Sequence, residues 1–171
     1  MKIIAVVLVV LTATGAFAAG IADEPDRPER RVKQFNQVLT FGIGLHHRDG
    51  DTGSGFRTAV TIGWDGWLTR SRIFGFYFDG TIVLEEPNSL GEISYGVNLS
   101  FPLAGPNLRS FVQLGFGYGK DENGEEFFSM PVTVGTSFWF TRSFGLKFSF
   151  RYYLLCKEDM LHMSAGLFAA L

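Results

Sequence analysis

Cysteine is almost absent from this sequence, since Cys156 is the only one in 171 residues. A single thiol excludes an intrachain disulfide and any metal site built from several cysteines. Beyond the N-terminal region, no stretch approaches the roughly 18 to 20 apolar residues of a membrane-spanning helix. The formal net charge is only −2, so the basic excess typical of nucleic-acid-binding proteins is missing and no nucleic-acid partner is expected.

Aromatic residues are abundant instead: the chain has 18 Phe and is 46% hydrophobic. Their placement alternates, as in residues 144–155, FGLKFSFRYYLL. Strict alternation predicts a β-strand, because successive side chains point to opposite faces of a sheet. In this stretch one face carries only large apolar residues, and the other carries Lys147 and Arg151. High apolar content spread over alternate positions is typical of membrane β-barrels.

The N-terminus predicts a secretory signal peptide over residues 1–18. Lys2 supplies its positive charge, an apolar run follows, and Ala16-Phe17-Ala18 forms a small-x-small cleavage site. An N-terminal membrane anchor is the weaker alternative, because the apolar run is short and ends in that site. Residues 19–33 are charged, contain two prolines and lack apolar periodicity, so we predict a solvated periplasmic tail.

From residue 34 to residue 171 the chain divides into eight alternating segments separated by turn signals. We predict strands at about 34–46, 56–65, 72–84, 92–101, 108–119, 127–140, 144–155 and 160–171. The short connections join neighbouring antiparallel strands in an up-and-down meander. The sequence therefore predicts an all-β domain in which eight strands close into an antiparallel transmembrane β-barrel.

The composition of the two strand faces indicates which face points into the barrel and which points outward. One face is built from Phe, Leu, Ile, Val and Tyr, and it carries no charged residue. The other face is rich in Gly, Ser and Thr and carries the charges. A soluble barrel fills its interior with large apolar side chains, whereas here the apolar face is too bulky for a small lumen. We therefore predict that the apolar face contacts outer-membrane lipids, where a central Arg would cost about 2 to 4 kcal/mol.

The connections give an independent check, because alternate ones are acidic and the intervening ones are basic or neutral. An even meander places alternate connections on opposite sides of the membrane. With both termini in the periplasm, the acidic loops face outside, and their charge suggests divalent cations as partners that bridge to lipid headgroups. The acidic loop residues are Asp49, Asp51, Glu85, Glu86, Asp121, Glu122, Glu125, Glu126, Glu158 and Asp159.

Charged residues on the inward face form the main candidate site. We expect them to meet in the lumen as one network: Arg57, Asp79, Glu92, Lys147 and Arg151. A paired network that plugs the barrel is the favoured interpretation, because buried charges persist only when paired or wet. A narrow, gated path for ions or small solutes is the alternative, since inward glycines free some space.

Aromatic residues near strand ends predict an interfacial girdle. Its members are Trp64, Trp67, Tyr95, Tyr118 and Tyr152. The alternation of Trp139 points it inward instead. In the first loop, His46, His47, Asp49 and Asp51 fit no standard metal-binding spacing, so no metal site or cofactor is predicted.

By this pattern the chain resembles the small eight-stranded outer-membrane barrels: the OmpA transmembrane domain, OmpX, OmpW and the opacity proteins. In that family the last strand usually ends in Gly-x-x-aromatic-x-aromatic. Here the end is Gly166-Leu167-Phe168-Ala169-Ala170-Leu171, where Ala169 and Leu171 replace the aromatics. Gly145 to Phe150 match the motif better, one strand earlier. The resemblance implies insertion into the cell outer membrane, with periplasmic chaperones and the outer-membrane insertion complex as partners.

Three function classes stay open at this stage. A structural barrel or a narrow channel for small solutes or hydrophobic molecules is preferred, and a surface-interaction barrel acting through its acidic loops is the alternative. A lipid-modifying enzyme is the weakest. His162-x-Ser164 resembles the His-x-Ser of barrel lipid A deacylases, but both side chains are predicted to face inward and no downstream carboxylate can orient the histidine. We therefore predict no catalytic residue.

Overall fold

A computed structural model describes residues 37–49, 55–68, 72–84, 90–104, 107–120, 124–141, 143–154 and 159–171. The signal peptide predicted over 1–18, the tail predicted over 19–33 and Cys156 lie outside the described residues. The described part of the chain contains no helix long and apolar enough to cross a membrane.

The described chain forms eight strands that close into a barrel, each hydrogen-bonded to its neighbours in sequence. This confirms the predicted all-β, antiparallel, up-and-down fold. The strands are β1 Gln37–Asp49, β2 Gly55–Trp67, β3 Phe74–Leu84, β4 Leu90–Ala104, β5 Leu108–Lys120, β6 Glu126–Trp139, β7 Phe144–Leu154 and β8 Asp159–Ala170.

Closure depends on the pairing of β1 with β8, which runs without interruption from Val38↔Ala170 to Asp49↔Asp159. A closed ring leaves no sheet edge, so backbone groups at membrane depth are paired. The ladder between β5 and β6 skips residues between Leu114↔Val132 and Gly117↔Ser129. Pro131 lies in this gap, and its missing N–H accounts for the lost pairing.

The outer wall of the barrel is apolar and exposed. Ile43, Phe116 and Phe128 expose 67%, 62% and 74% of their surface. The interior, in contrast, holds polar residues that are almost fully buried, including Asn98 and Gln113 at 1% each. This arrangement is the reverse of a soluble barrel and confirms a transmembrane barrel whose apolar face lies toward lipid.

Two strands extend beyond their predicted ends in a way that affects the candidate site. β1 continues to Asp49, so His46 and His47 lie in a strand and not in the first loop. β2 continues to Trp67, so Asp65 is a strand residue although the Asp65-Gly66 pair reads as a turn. The strands outrun the predicted segments because the alternation continues there with polar or small residues, which carry a weak strand signal.

Candidate functional site: the barrel interior

An ion pair crosses the middle of the barrel. Arg151 on β7 donates from Nη2 to Oδ2 of Asp79 on β3, and both side chains are almost fully buried. The remaining guanidinium nitrogens are also used: Nε donates to Oγ1 of Thr133 at 2.9 Å, and Nη1 donates to Oγ of Ser94 at 3.3 Å. One arginine therefore connects β3, β4, β6 and β7.

A second polar centre lies around Asp65, nearer the end of the barrel that carries the termini. Its Oδ2 accepts from Nζ of Lys147 at 2.8 Å. Its Oδ1 accepts from Nδ2 of Asn98 at 2.6 Å and from Nε2 of Gln113 at 2.8 Å. Lys147 also places its Nζ 4.8 Å from the centre of the Phe111 ring. The carboxylate thus joins β2, β4, β5 and β7.

Three of the five predicted inward charges, Arg151, Asp79 and Lys147, belong to these two ion pairs. Arg151 and Asp79 pair as described, but Lys147 pairs with Asp65, which stood at the end of the predicted strand 56–65 and was not among the predicted charges. Glu92 accepts a 2.6 Å hydrogen bond from Ser129. Arg57 is half-buried on β2 opposite His46. Alternation placed these charges on the inward face but did not specify how far along the barrel axis each side chain lies, so their partners could not be predicted from the sequence.

An apolar cluster lies toward each end of the interior. At the terminus end, Val38, Trp139 and Phe168 form one buried cluster. Toward the other end, Ala59, Val83 and Leu90 form another, and Phe127 packs against it. We call these two clusters the apolar layers.

The terminus end is further covered by two arginines. The guanidinium carbon of Arg72 lies 4.4 Å from the centre of the Trp139 ring, a cation–π contact. Arg109 donates from Nη2 to the backbone oxygen of Arg72 at 3.1 Å and from Nε to Oγ of Ser100 at 3.1 Å. Beneath them is a cavity of about 30 Å³, whose lining includes Asp65. That volume suits one or two water molecules.

Two histidines meet inside the opposite half of the barrel. The ring centres of His46 and His162 are 6.0 Å apart, and Nε2 of His162 lies 3.1 Å from Oγ1 of Thr61. Both nitrogens of His46 and Nδ1 of His162 are buried without a protein hydrogen-bond partner. Buried water is the ordinary partner of such atoms. Ser164 does not contact His162 but pairs with Ser149 at 2.6 Å between hydroxyl oxygens.

Glycine permits side chains to cross this narrow space. A Cβ atom on Gly115 would collide with the carbonyl oxygen of Tyr95 and the hydroxyl of Tyr77. Tyr77 is 2% exposed, so it has no free space to yield. Gly115 therefore makes room for the large side chain of Tyr77.

Most residues of the predicted aromatic girdle face outward. Tyr95 and Tyr118 are 58% and 39% exposed, and Trp64 and Tyr152 share the outward face of their strands. Trp67 differs: it has the inward orientation of Asp65, two residues before it, and lines the small cavity. Its assignment to the girdle was wrong because β2 runs further than the sequence suggested. Trp139 is inward and buried, as its alternation indicated.

The predicted acidic loops lie mainly outside the described residues, as Asp51, Glu85, Glu86, Asp121, Glu122 and Glu158 do. Asp49 and Asp159 are backbone partners at the ends of β1 and β8. Glu125 and Glu126 are exposed. Oε1 of Glu126 lies 3.7 Å from Nζ of Lys120. Within the described ranges, no group of three or more His, Cys, Asp or Glu side chains is arranged to hold a metal ion.

Comparison with known proteins shows the same architecture. No family model and no curated protein matches the sequence. Among solved structures, Neisserial surface protein A superposes with a TM-score of 0.65 at 15% identity, covering 80% of this chain and 97% of that chain. The N-terminal β-barrel domain of Pseudomonas aeruginosa OprF gives 0.61 at 13% identity, covering 80% and 98%.

A third similar structure is the Yersinia pestis attachment invasion locus protein Ail, in complex with the heparin analogue sucrose octasulfate. It gives a TM-score of 0.59 at 13% identity and covers 79% of this chain and 97% of that chain. At such identities the likeness concerns the fold. This chain has the fold of the small eight-stranded outer-membrane β-barrels, as the resemblance in its sequence predicted.

Proposed function

We propose that this protein is a structural, non-enzymatic barrel of the bacterial outer membrane whose interior is a plug and not a channel. The contact between Arg151 and Asp79 carries the proposal, because it joins opposite walls of the barrel across the space that a channel would need. The Asp65 centre fills the next layer with three further polar side chains. An ion moving through the lumen has to displace both groups.

The two ends of the interior support the same proposal. A permeating ion also has to pass the Trp139 and Phe168 layer at one end and the Leu90 and Phe127 layer at the other. Apolar layers of this kind disfavour hydrated ions, because ions entering them lose water without gaining new ligands. The cavity of about 30 Å³ at the terminus end is too small for a hydrated ion or a nutrient.

The orientation of His162 and Ser164 supports a non-enzymatic role. Both side chains lie on the inner face of β8, and that of His162 is almost fully buried. The hydroxyl of Ser164 is paired with Ser149 and not with the histidine. A nucleophilic serine needs a base within hydrogen-bond reach, and this arrangement does not supply one.

Export and insertion complete the proposal. Cleavage after Ala18, passage through the periplasm with chaperones and insertion by the outer-membrane complex follow from the signal peptide and the apolar wall. N-terminal sequencing of the membrane-inserted protein is the direct test of the cleavage site. A mature chain beginning at Ala19 agrees with the proposal, and a retained Met1 contradicts it.

A surface-interaction role is the second candidate. It is favoured by the exposed Glu125 and Glu126 at the end away from the termini, and by the surface and attachment proteins among similar structures. Divalent cations are the proposed partners of this acidic end. If added calcium or magnesium leaves the melting temperature of the barrel unchanged, divalent cations are not partners of this acidic end.

Planar-bilayer conductance tests the plug. Protein refolded in detergent, and shown to be folded by its heat-modifiable gel mobility, should give no discrete current steps. Lys147→Ala and Arg57→Ala should stay silent as well, because the apolar layers at both ends are unchanged. Discrete current steps from the unmodified barrel, altered in size or ion selectivity by either substitution, would contradict the proposed plug. They would indicate a channel lined by these charges.

A further inference from the structure

The ladder that closes the barrel carries two histidines at the same level. His46 on β1 is the backbone partner of His162 on β8, and both side chains point inward and are exposed by only 1% and 2%. We call the four pairs from Leu45↔Met163 to Arg48↔Met160 the histidine seam. The histidine seam lies in the half of the barrel away from the termini, where β1 and β8 complete the ring.

The hydrogen-bonding groups of the two rings suit neutral imidazoles. Nε2 of His162 lies 3.1 Å from Oγ1 of Thr61. Nδ1 of His162 and both nitrogens of His46 are buried and have no protein partner. A protonated imidazole donates from both of its nitrogens, and the protein offers no acceptor to these three nitrogens. Protonation would therefore add a buried donor that the protein does not satisfy.

The charged groups around the two rings also disfavour a proton. Arg57 on β2 is the backbone partner of His46, and Arg151 on β7 is the backbone partner of His162. Arg48 lies two residues from His46 on the same face of β1. Apart from the imidazoles themselves, these arginines are the charged groups that act on the two rings. A proton on either ring therefore meets charge of the same sign.

The carboxylates in this half of the interior are already engaged. Asp79 on β3 is paired with Arg151, and Glu92 on β4 accepts a hydrogen bond from a serine of β6. The phenols of Tyr77 and Tyr153 also face the interior and are 2% exposed each, and a phenol is uncharged near neutral pH. Among the described residues, no carboxylate acts on either imidazole, so none compensates a positive charge at the histidine seam.

We propose that the histidine seam is an acid-sensitive closure, which holds the barrel shut at neutral pH and opens as the pH falls below about 6.5. A hydrated imidazole, as in an opened seam, takes up a proton near about pH 6.5. The closed seam disfavours that proton, because its neighbours are arginines and its ring nitrogens lack acceptors. Protons therefore bind the open seam more than the closed one, and acid shifts the equilibrium toward opening. The stability that the neutral pair confers is present above about pH 6.5 and is lost as the pH falls.

Linkage gives the size of the effect. A ring that is neutral in the closed seam and hydrated in the open one raises the opening constant about tenfold between about pH 7.5 and about pH 5.5. If both rings become hydrated on opening, the increase is about 100-fold.

Hydrogen exchange of the full barrel in lipid nanodiscs tests the proposal. The protection of the seam amides is compared at about pH 7.5 and about pH 5.5, after correction for the intrinsic exchange rates, and in the unmodified barrel it is expected to fall by about 10- to 100-fold. The double variant His46→Gln/His162→Gln replaces both rings with amides that do not titrate. Its protection is expected to change by less than about threefold.

His47 supplies the matched control, because it is the third and last histidine of the chain. It points outward on β1, and its Nδ1 lies 3.2 Å from the backbone oxygen of Gly55 at the surface. His47→Gln is expected to retain the full fall in protection. An equal fall in the double variant, or no fall in the unmodified barrel, overturns the proposal.

NMR spectra of the ring nitrogens in the unmodified barrel keep the test independent of whether the double variant folds. At about pH 5.5, His47 is expected to show the shifts of a protonated imidazole, whereas His46 and His162 in the closed barrel keep the shifts of neutral rings. Protonation of the two buried rings together with His47, with exchange protection unchanged, overturns the proposal. Neither measurement depends on conductance, so acid sensitivity and the plug are tested separately.

Discussion

Arg151 and Asp79 lie on strands four places apart in a ring of eight, and the Arg151 guanidinium reaches across the lumen to the Asp79 carboxylate. Two charges in such a place are stable only together. The attraction offsets the loss of hydration, and Thr133 and Ser94 take up the remaining guanidinium hydrogens. The pair thus ties opposite walls together and fills the lumen at the same time.

The first prediction concerns this pair. Asp79→Ala leaves a buried guanidinium without its counter-ion and should lower the free energy of unfolding by about 3–5 kcal/mol. The double variant Asp79→Leu/Arg151→Met replaces the pair with apolar side chains and should recover most of that loss. Urea unfolding in lipid vesicles, followed by tryptophan fluorescence, measures both.

A double-mutant cycle measures the interaction free energy between Asp79 and Arg151 separately from the effect of each single substitution. The coupling between the two positions should exceed about 2 kcal/mol, because the residues are in contact in a water-poor interior. Additive effects, with no coupling, would mean that the two charges do not interact in the membrane.

The second prediction compares two lysines. Lys147→Met removes the buried partner of Asp65 and should lower the free energy of unfolding by about 3 kcal/mol or more. Lys120→Met removes an exposed lysine that lies 3.7 Å from Glu126, and an exposed pair of this kind is worth about 0–1 kcal/mol. The same urea titration ranks the two variants, and equal effects would contradict a buried Asp65 centre.

The third prediction compares two glycines. Gly115→Ala brings a methyl group against Tyr77 and the Tyr95 carbonyl, so it should destabilise the barrel by about 1–3 kcal/mol through overpacking. Gly80 points outward, and a Cβ atom added there would meet nothing within 4 Å. Gly80→Ala should therefore be neutral or stabilise by about 0.4–1 kcal/mol. A urea midpoint of Gly115→Ala that does not fall below that of the unmodified barrel would show that the interior is looser than these contacts require.

Much of the fold followed from alternation. The stretch from Phe144 to Leu154 places its Phe face outward and Lys147 and Arg151 inward, because a strand with one charged face in a membrane has only one low-energy orientation. Closure also followed, since an open edge in lipid leaves backbone groups unpaired.

The residues and pairings of the candidate site could be predicted from the sequence only in part. Asp65 was missed as the partner of Lys147 because the predicted strand ended at that residue, whereas β2 runs on to Trp67. Trp67 was placed outside for the same reason. The continuation of alternation through Asp65 and Trp67 is the signal that would have found both. Which charges pair across the lumen depends on strand stagger and on the length of the side chains. The alternation of apolar and polar residues gives no information on either.

The orientation of the two faces is the central claim, and tryptophan quenching by brominated phospholipids tests it most directly. Trp64 faces outward, whereas Trp139 is buried inside against Phe168 at a ring separation of 4.5 Å. Two folded single-tryptophan variants are compared in vesicles, one keeping Trp64 and one keeping Trp139, with Phe at the other positions. Strong quenching of Trp64 with little quenching of Trp139 is the predicted result. Equal quenching of both, or stronger quenching of Trp139, would contradict a barrel that presents its Phe face to lipid.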